Sequence, residues 1–180
     1  KMIFEIRDLN YATPATATRA GIVCMSDVDG VQWRSYVQSW IKKQEHPPAV
    51  KEQLDKYFEK YGNDALYWFL KNTKILVPMV DINMISACCS LLEALITPDK
   101  YEVIEYWFIF CFTSACGFCL TEVDGVDYRK QFSDWWKGEM KTIKYPSKGT
   151  IFDYFVRESK FEEWATFVDE IEYSSETPMG

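Results

Sequence analysis

The stretch Tyr106–Leu120, YWFIFCFTSACGFCL, runs for fifteen residues without a charge, and how it is housed decides the fold. A membrane-spanning helix needs about 20 such residues. Here Glu105 and Glu122 close the run on both sides. The length predicts a helix buried inside a protein, and a helix with no polar face must be enclosed by other elements.

The neighbouring sequence supplies them. Before the run, Asp99 with Glu102 sets a capping-box pattern behind Pro98. Asp81 reads as the cap of a helix with Ile82, Ile85, Cys89, Leu92 and Ile96 on one face. Leu54, Phe58, Tyr61, Ala65, Phe69 and Leu70 mark another helical stretch, which Gly62-Asn63-Asp64 is expected to divide. From Asp29-Gly30 onward, Trp33, Tyr36, Val37, Trp40 and Ile41 keep a helical period, stopped by His46-Pro47-Pro48. After the run, a helix is predicted over Val126–Lys141, with Tyr128, Phe132, Trp135, Trp136 and Met140 facing inward.

Both ends lean towards β structure. MIFEI (2–6) and AGIVCM (20–25) have strand character, and between them Thr13 can cap a short helix that Pro14 opens. Two short strands and one helical turn cannot make a core, so the first 25 residues read as the edge of something larger. After Pro146, GTIFDYFV reads as a strand, and KFEEWATFVDEIEY as a short helix followed by an extended end. The chain is thus mainly α, with short β pieces at both ends.

Composition narrows the function. Of 180 residues, 48% are hydrophobic and 17% aromatic, enough for a substantial core. The net charge of −7 argues against a nucleic-acid grip, which needs a basic stripe, and against an anionic membrane surface. The opening KMIFEIRD is charged too early for a signal peptide. Cysteines at 24, 88, 89, 111, 116 and 119 do not space like a disulfide framework, and a reducing, cytosolic compartment suits them better.

Three chemical motifs fall short. Cys111, Cys116 and Cys119 match C-x4-C-x2-C, but no fourth cysteine follows, and on a helix 111 and 119 lie roughly 80° apart at 100° per residue. No metal site is expected. His46 is the single histidine, so zinc or Ser-His-Asp chemistry has little to build on, and it reads as a solvent-exposed loop residue. The carboxylate pairs Glu162-Glu163 and Asp169-Glu170 read as solvated faces. No G-x-x-x-x-G-K-[ST] loop is present, and SKGT (147–150) has the wrong order. Arg19 is left, in ATPATATRAG (12–21). A lone arginine is ordinarily a surface charge. This one ends a short capped helix among small residues, where a rigid planar fork also suits a phosphate presented by a neighbour.

Taken in order, MIFEIRDLNYATPATATRAGIVCM, VQWRSYVQSWIKK, LDKYFEKY, VPMVDINMISACCSLLEAL and VDYRKQFSDWWKGEMKTIKYPSKGTIFDYFV resemble dynein heavy chains at the end of their second AAA+ module. The last is most similar to axonemal outer-arm, beta-type chains. The resemblance runs from Met2 to about Pro178. It implies that residues 1–25 end a large α/β AAA+ subdomain, that 26–141 form the helical small subdomain, and that 142–180 lead towards the third module. It further implies an ATP-driven microtubule motor of cilia and flagella, located in the cytoplasm and axoneme. Its cofactors would be ATP/ADP with Mg in the intact ring, and its partners the neighbouring AAA+ modules, the microtubule, and dynein intermediate and light chains. Arg19 takes the position of an arginine finger acting in trans on the first module's ATP site. Thr18 replaces the commoner serine, Ser114 stands where relatives carry tryptophan, and Phe118 replaces the second of two glycines. No sensor arginine is recognisable in the small-subdomain helices. The residues alone leave a second reading open, a self-contained helical adaptor in which Arg19 is incidental.

Overall fold

A helix with no charge beyond Glu105 in its first turn has to bury most of its length, and the computed structural model shows how this one does. It describes residues 5, 8–19, 21, 30–139 and 142–168. Apart from Glu5 and Gly21, the strands expected at 2–6 and 20–25 lie outside the described residues, as do Asp29, Met140, Lys141 and the tail beyond 168.

The run forms α6 (Ile104–Gly117), preceded by a 3-10 turn at Pro98–Val103 where a direct Asp99–Glu102 cap is expected. Ile104, Phe108, Ile109, Cys111, Phe112, Thr113, Ala115, Cys116 and Gly117 are all buried. Around it pack α2 (Val31–Lys43), α3 (Pro48–Tyr57), α4 (Asn63–Asn72), α5 (Asp81–Leu95) and α7 (Tyr128–Glu139). The fold is mainly α, with two small antiparallel hairpins among the described residues.

Most of each predicted stripe is buried, but Leu70 of α4 is exposed and Ile82 of α5 only half-buried. In α2 the buried residues are Trp33, Val37, Trp40 and Ile41, with Tyr36 at the exposed edge. Helix α2 starts at Gly30, whose φ of 68° is a left-handed conformation that a Cβ would strain. A Cβ there would also lie 2.2 Å from Trp33 Nε1, so only glycine lets the indole fold back over the turn. Asp81 is the first residue of α5 and not its cap. The Val80 N–H instead donates to Asn83 Oδ1 at 3.2 Å. At the far end of α5, Lys100 Nζ donates to the Leu95 carbonyl at 2.6 Å and lies 4.2 Å from the Trp107 ring centre, satisfying a helix C-terminus with a cation.

Three further expectations of secondary structure are corrected. Gly62-Asn63-Asp64 does not divide the helical stretch, because a π-helical turn, Phe58–Gly62, joins α3 to α4. The Asn63 side chain, which could have recapped a new helix, instead accepts from Arg34 Nη2. Val126-Asp127 are not helical: they form β2, paired with β1 (Glu122–Val123), and Asp127 Oδ1 accepts the Lys130 N–H at 2.9 Å to open α7. Finally, Lys160–Glu163 is strand β4 and not a helix, pairing with β3 (Tyr154–Arg157) after a 3-10 turn at Ile151–Asp153. Backbone pairing along β3 outweighs the helical leaning of KFEE.

This C-terminal hairpin is part of the same core. Tyr145 stacks on Phe161 with centroids 3.9 Å apart, and the buried Ile151 N–H donates to Ser133 Oγ of α7 at 3.0 Å. Phe152 lies flat against the end of α6, where a Cβ added to Gly117 would fall 2.2 Å from its ring. Gly117→Ala is therefore expected to destabilise the fold by about 1–3 kcal/mol through overpacking, despite alanine's better helix propensity. In a thermal-denaturation double-mutant cycle, Phe152→Leu should recover most of that loss.

His46 is not the exposed loop residue the sequence suggests. It is half-buried, its Nδ1 lies 3.0 Å from the Tyr101 hydroxyl, and the rings meet edge-on at 5.6 Å. Its Nε2 is buried without a partner among the described residues. Burial, and secondarily the charge of Lys51, holds its pKa below the ordinary 6.5. The unfolded chain binds the proton more readily than the folded one, so stability is full above that value and falls as pH drops below it. Urea midpoints measured at about pH 7.5 and about pH 5.5 should fall further for the native chain than for His46→Gln.

Candidate functional site

Helix α1 (Pro14–Arg19) is built locally. Proline opens it, the Thr16 N–H donates to Thr13 Oγ1 at 3.3 Å, and Thr18 Oγ1 donates to the Pro14 carbonyl at 2.6 Å. It buries no residue, and Arg19, its last, is exposed. The guanidinium thus stands at the C-terminal end of a capped helical turn, where a cation complements the helix dipole. Ala20 and 22–25 are outside the described residues, so the strand expected to complete this corner is too.

Elsewhere the polar side chains gather into clusters that join distant helices. Lys60 Nζ donates to Glu105 Oε1 at 3.0 Å and to Thr142 Oγ1 at 3.2 Å. The Tyr61 hydroxyl donates to the same Glu105 oxygen and lies 3.3 Å from Thr142 Oγ1. Burial, then the bond to Glu105, raises the Tyr61 pKa above 10.0, so the phenol stays a donor. On the other side of the π turn, Arg34 Nε pairs with Glu59 Oε1 at 3.1 Å. A further ion pair, Lys148–Glu163 at 3.3 Å, ties the loop before β3 to β4.

The motifs weighed in the sequence resolve into structural roles. Cys111 and Cys116 are buried in α6, where desolvation raises both thiol pKa values, that of Cys111 to about 12. Cys88 and Cys89 in α5 are buried and raised likewise, Cys89 to about 12. Metal ligation needs thiolates, and burial holds these sulfurs protonated. Among the described residues no three His, Cys, Asp or Glu side chains are placed to share a metal ion. SKGT forms a turn in which Gly149 has φ 62° and its carbonyl accepts from Lys137 Nζ at 2.8 Å. The Thr150 N–H and hydroxyl meanwhile bond Asp153 Oδ2. Glu162 lies 3.7 Å from Arg157, and Asp169-Glu170 are outside the described residues.

The clusters around Lys60 and Arg34 were not visible in the sequence. Arg34 and Lys60 reach partners between 25 and 82 residues away, and no local motif links them.

Residues 54–169 match the family described as the dynein heavy chain AAA lid domain. The dynein alpha chain of the flagellar outer arm of Chlamydomonas reinhardtii is 37% identical over 197 residues, covering 99% of this chain and 4% of its own length. Dynein axonemal heavy chain 9 of Homo sapiens and the ciliary dynein beta chain of Tripneustes gratilla are each 37% identical over 187 residues, with the same coverage. The chain therefore spans about 4% of the length of these relatives. A helical body closed around α6, matched along more than half its length, places it in a family: the chain belongs to the dynein heavy chains, as an AAA lid domain.

Proposed function

We propose that this chain works as part of the AAA+ ring of an axonemal dynein heavy chain, an ATP-driven microtubule motor of the cilium or flagellum. The names of its relatives, flagellar outer arm, axonemal and ciliary, support that setting. Residues 1–25 then close the large α/β subdomain of the second module, 26–141 form its helical lid, and 142–180 lead on towards the third. The hairpin of β3 and β4, seated on α6 and α7, fits a connector that leaves from the lid itself. A free-standing helical adaptor would leave the lid match along 54–169 without a reason.

Within that ring Arg19 is the residue we assign to catalysis, as an arginine finger reaching the first module's ATP site. The single observation behind this is its position, exposed at the last residue of a short capped helix. Its guanidinium offers a planar set of donors to phosphoryl oxygens, and its charge can offset the charge developing there. Nucleotide and Mg belong to the intact ring. These 180 residues contain no Walker A loop, so the phosphate cradle would come from another module. The remaining partners, microtubule, intermediate and light chains, would be engaged through the rest of the motor.

The test is made in the full-length heavy chain. Arg19→Ala should slow ATP turnover at the affected site by on the order of 10³-fold. Nucleotide affinity should change by no more than a few fold, and Arg19→Lys should restore turnover only in part, since lysine lacks the fork. Turnover equal to that of the native motor would remove the assignment.

A further inference from the structure

Helix α5 passes the chain to α6 through Ile96, Thr97 and the 3-10 turn Pro98–Val103, and the joint reads Thr97-Pro98-Asp99-Lys100. A threonine followed by proline, with a lysine three residues on, is the pattern that proline-directed protein kinases phosphorylate. Proline has no N–H, so it is accepted where a pocket offers that position no hydrogen-bond acceptor, and every other residue is refused. The structure presents this pattern to solvent. Thr97 is exposed and extended, with φ −118° and ψ 161°, the region to which a following proline restricts it. Pro98 and Asp99 are exposed beside it. For a kinase to take the segment as an extended strand, only the turn after Thr97 has to open. That turn is closed by the Lys100 N–H to the Thr97 carbonyl at 2.9 Å, and 3-10 bonds have poorer geometry than those of an α-helix.

The chain carries its own contrast. Thr13-Pro14 is exposed too, but it continues as Ala15-Thr16 with no base, and Thr13 Oγ1 is already engaged by the Thr16 N–H and hydroxyl. We propose that Thr97 is a phosphorylation site for a proline-directed serine/threonine kinase, and that its phosphate uncaps the C-terminal end of α5. In the transfer, Thr97 Oγ1 bonds to the γ-phosphorus of the kinase's Mg-ATP as the bond from that phosphorus to the β,γ-bridging oxygen breaks. ADP leaves, and the hydroxyl proton passes to the kinase's catalytic carboxylate. Arg19 has no part in this.

The surroundings of Thr97 determine what the phosphate does. Lys100 stands three residues on in the same hydrogen-bonded turn, within a lysine's reach of a phosphate on Thr97. Its ammonium now holds the Leu95 carbonyl at 2.6 Å and covers the Trp107 ring. A phosphate dianion is a stronger acceptor than a carbonyl and draws that ammonium away. The Thr97 hydroxyl is also hydrogen-bonded to the Asp99 carboxylate, which a phosphate repels. Both changes loosen the joint between α5 and α6.

The experiment incubates the full-length heavy chain with a purified cyclin-dependent kinase and Mg-ATP, and reads phosphate on Thr97 and Thr13 by peptide mass spectrometry. Expected is labelling of Thr97 about tenfold or more faster than of Thr13, with a loss of about tenfold or more in Pro98→Ala, an exposed position. Once labelled, the native chain should exchange the amide hydrogens of residues 92–96 severalfold faster, while Thr97→Val treated alike should not change. Thr97 left unlabelled, Thr13 labelled as fast, Pro98→Ala labelled undiminished, or exchange unaltered by the phosphate would each overturn the proposal.

Discussion

This fold is organised by α6, which carries no charge beyond Glu105 in its first turn. Phe108 packs edge-on against Phe58 at 4.9 Å and near-parallel to Phe112 at 5.9 Å, and Tyr57 and Tyr61 close the same ring of contacts. Fully burying a side chain of this size contributes about 1.5–3 kcal/mol. That gain is realised only if α3, the π turn, α5 and α7 all approach at once. The helix therefore acts as an organising axis: any neighbour withdrawn from it leaves apolar surface facing water.

The π turn is the second consequence. Within its five residues Phe58, Tyr61 and Gly62 are all buried. One residue of extra winding turns Phe58 and Tyr61 towards α6, and leaves Glu59 and Asn63 facing Arg34 of α2. The same local irregularity thus builds the aromatic core on one side and a polar cluster on the other. Its Lys60–Tyr61–Glu105 contacts carry the arrangement across to α6 and Thr142.

How far the sequence could be read depends on the range of the forces involved. The helical stripes of Trp33-Val37-Trp40 and of Ile85-Cys89-Leu92 were legible because burial imposes a period on residues within a few turns. The threonine cap and opening proline of α1 were legible because capping is local. Glycine before asparagine at 62–63 misled, because a glycine is usually a breaker, and the tertiary contact of Arg34 with Asn63 outweighed that tendency. KFEE misled for the same reason, its pairing partner lying outside the window that sets helix propensity. His46 looked exposed because nothing near it in sequence announces Tyr101, 55 residues on. Arg19 could be singled out by its setting. The cluster of Lys60, Tyr61 and Glu105 could not, being assembled from segments whose separate patterns speak only of core.

Arg19 and the lid core stand in different mechanical positions. Helix α1 buries nothing, so its short turn is held by its threonine and proline and by whatever flanks it, and not by the aromatic stack. The lid, by contrast, is tied from α2 to β4 through buried rings and hydrogen bonds that span much of its length, such as Trp40 Nε1 to Glu93 at 3.1 Å and Tyr145 on Phe161. Perturbations in groups that share no partner add, whereas those within one packed network couple. A substitution in α1, which buries nothing, is therefore expected to leave the lid core's stability unchanged, whereas one in the aromatic stack is felt by every helix packed on α6.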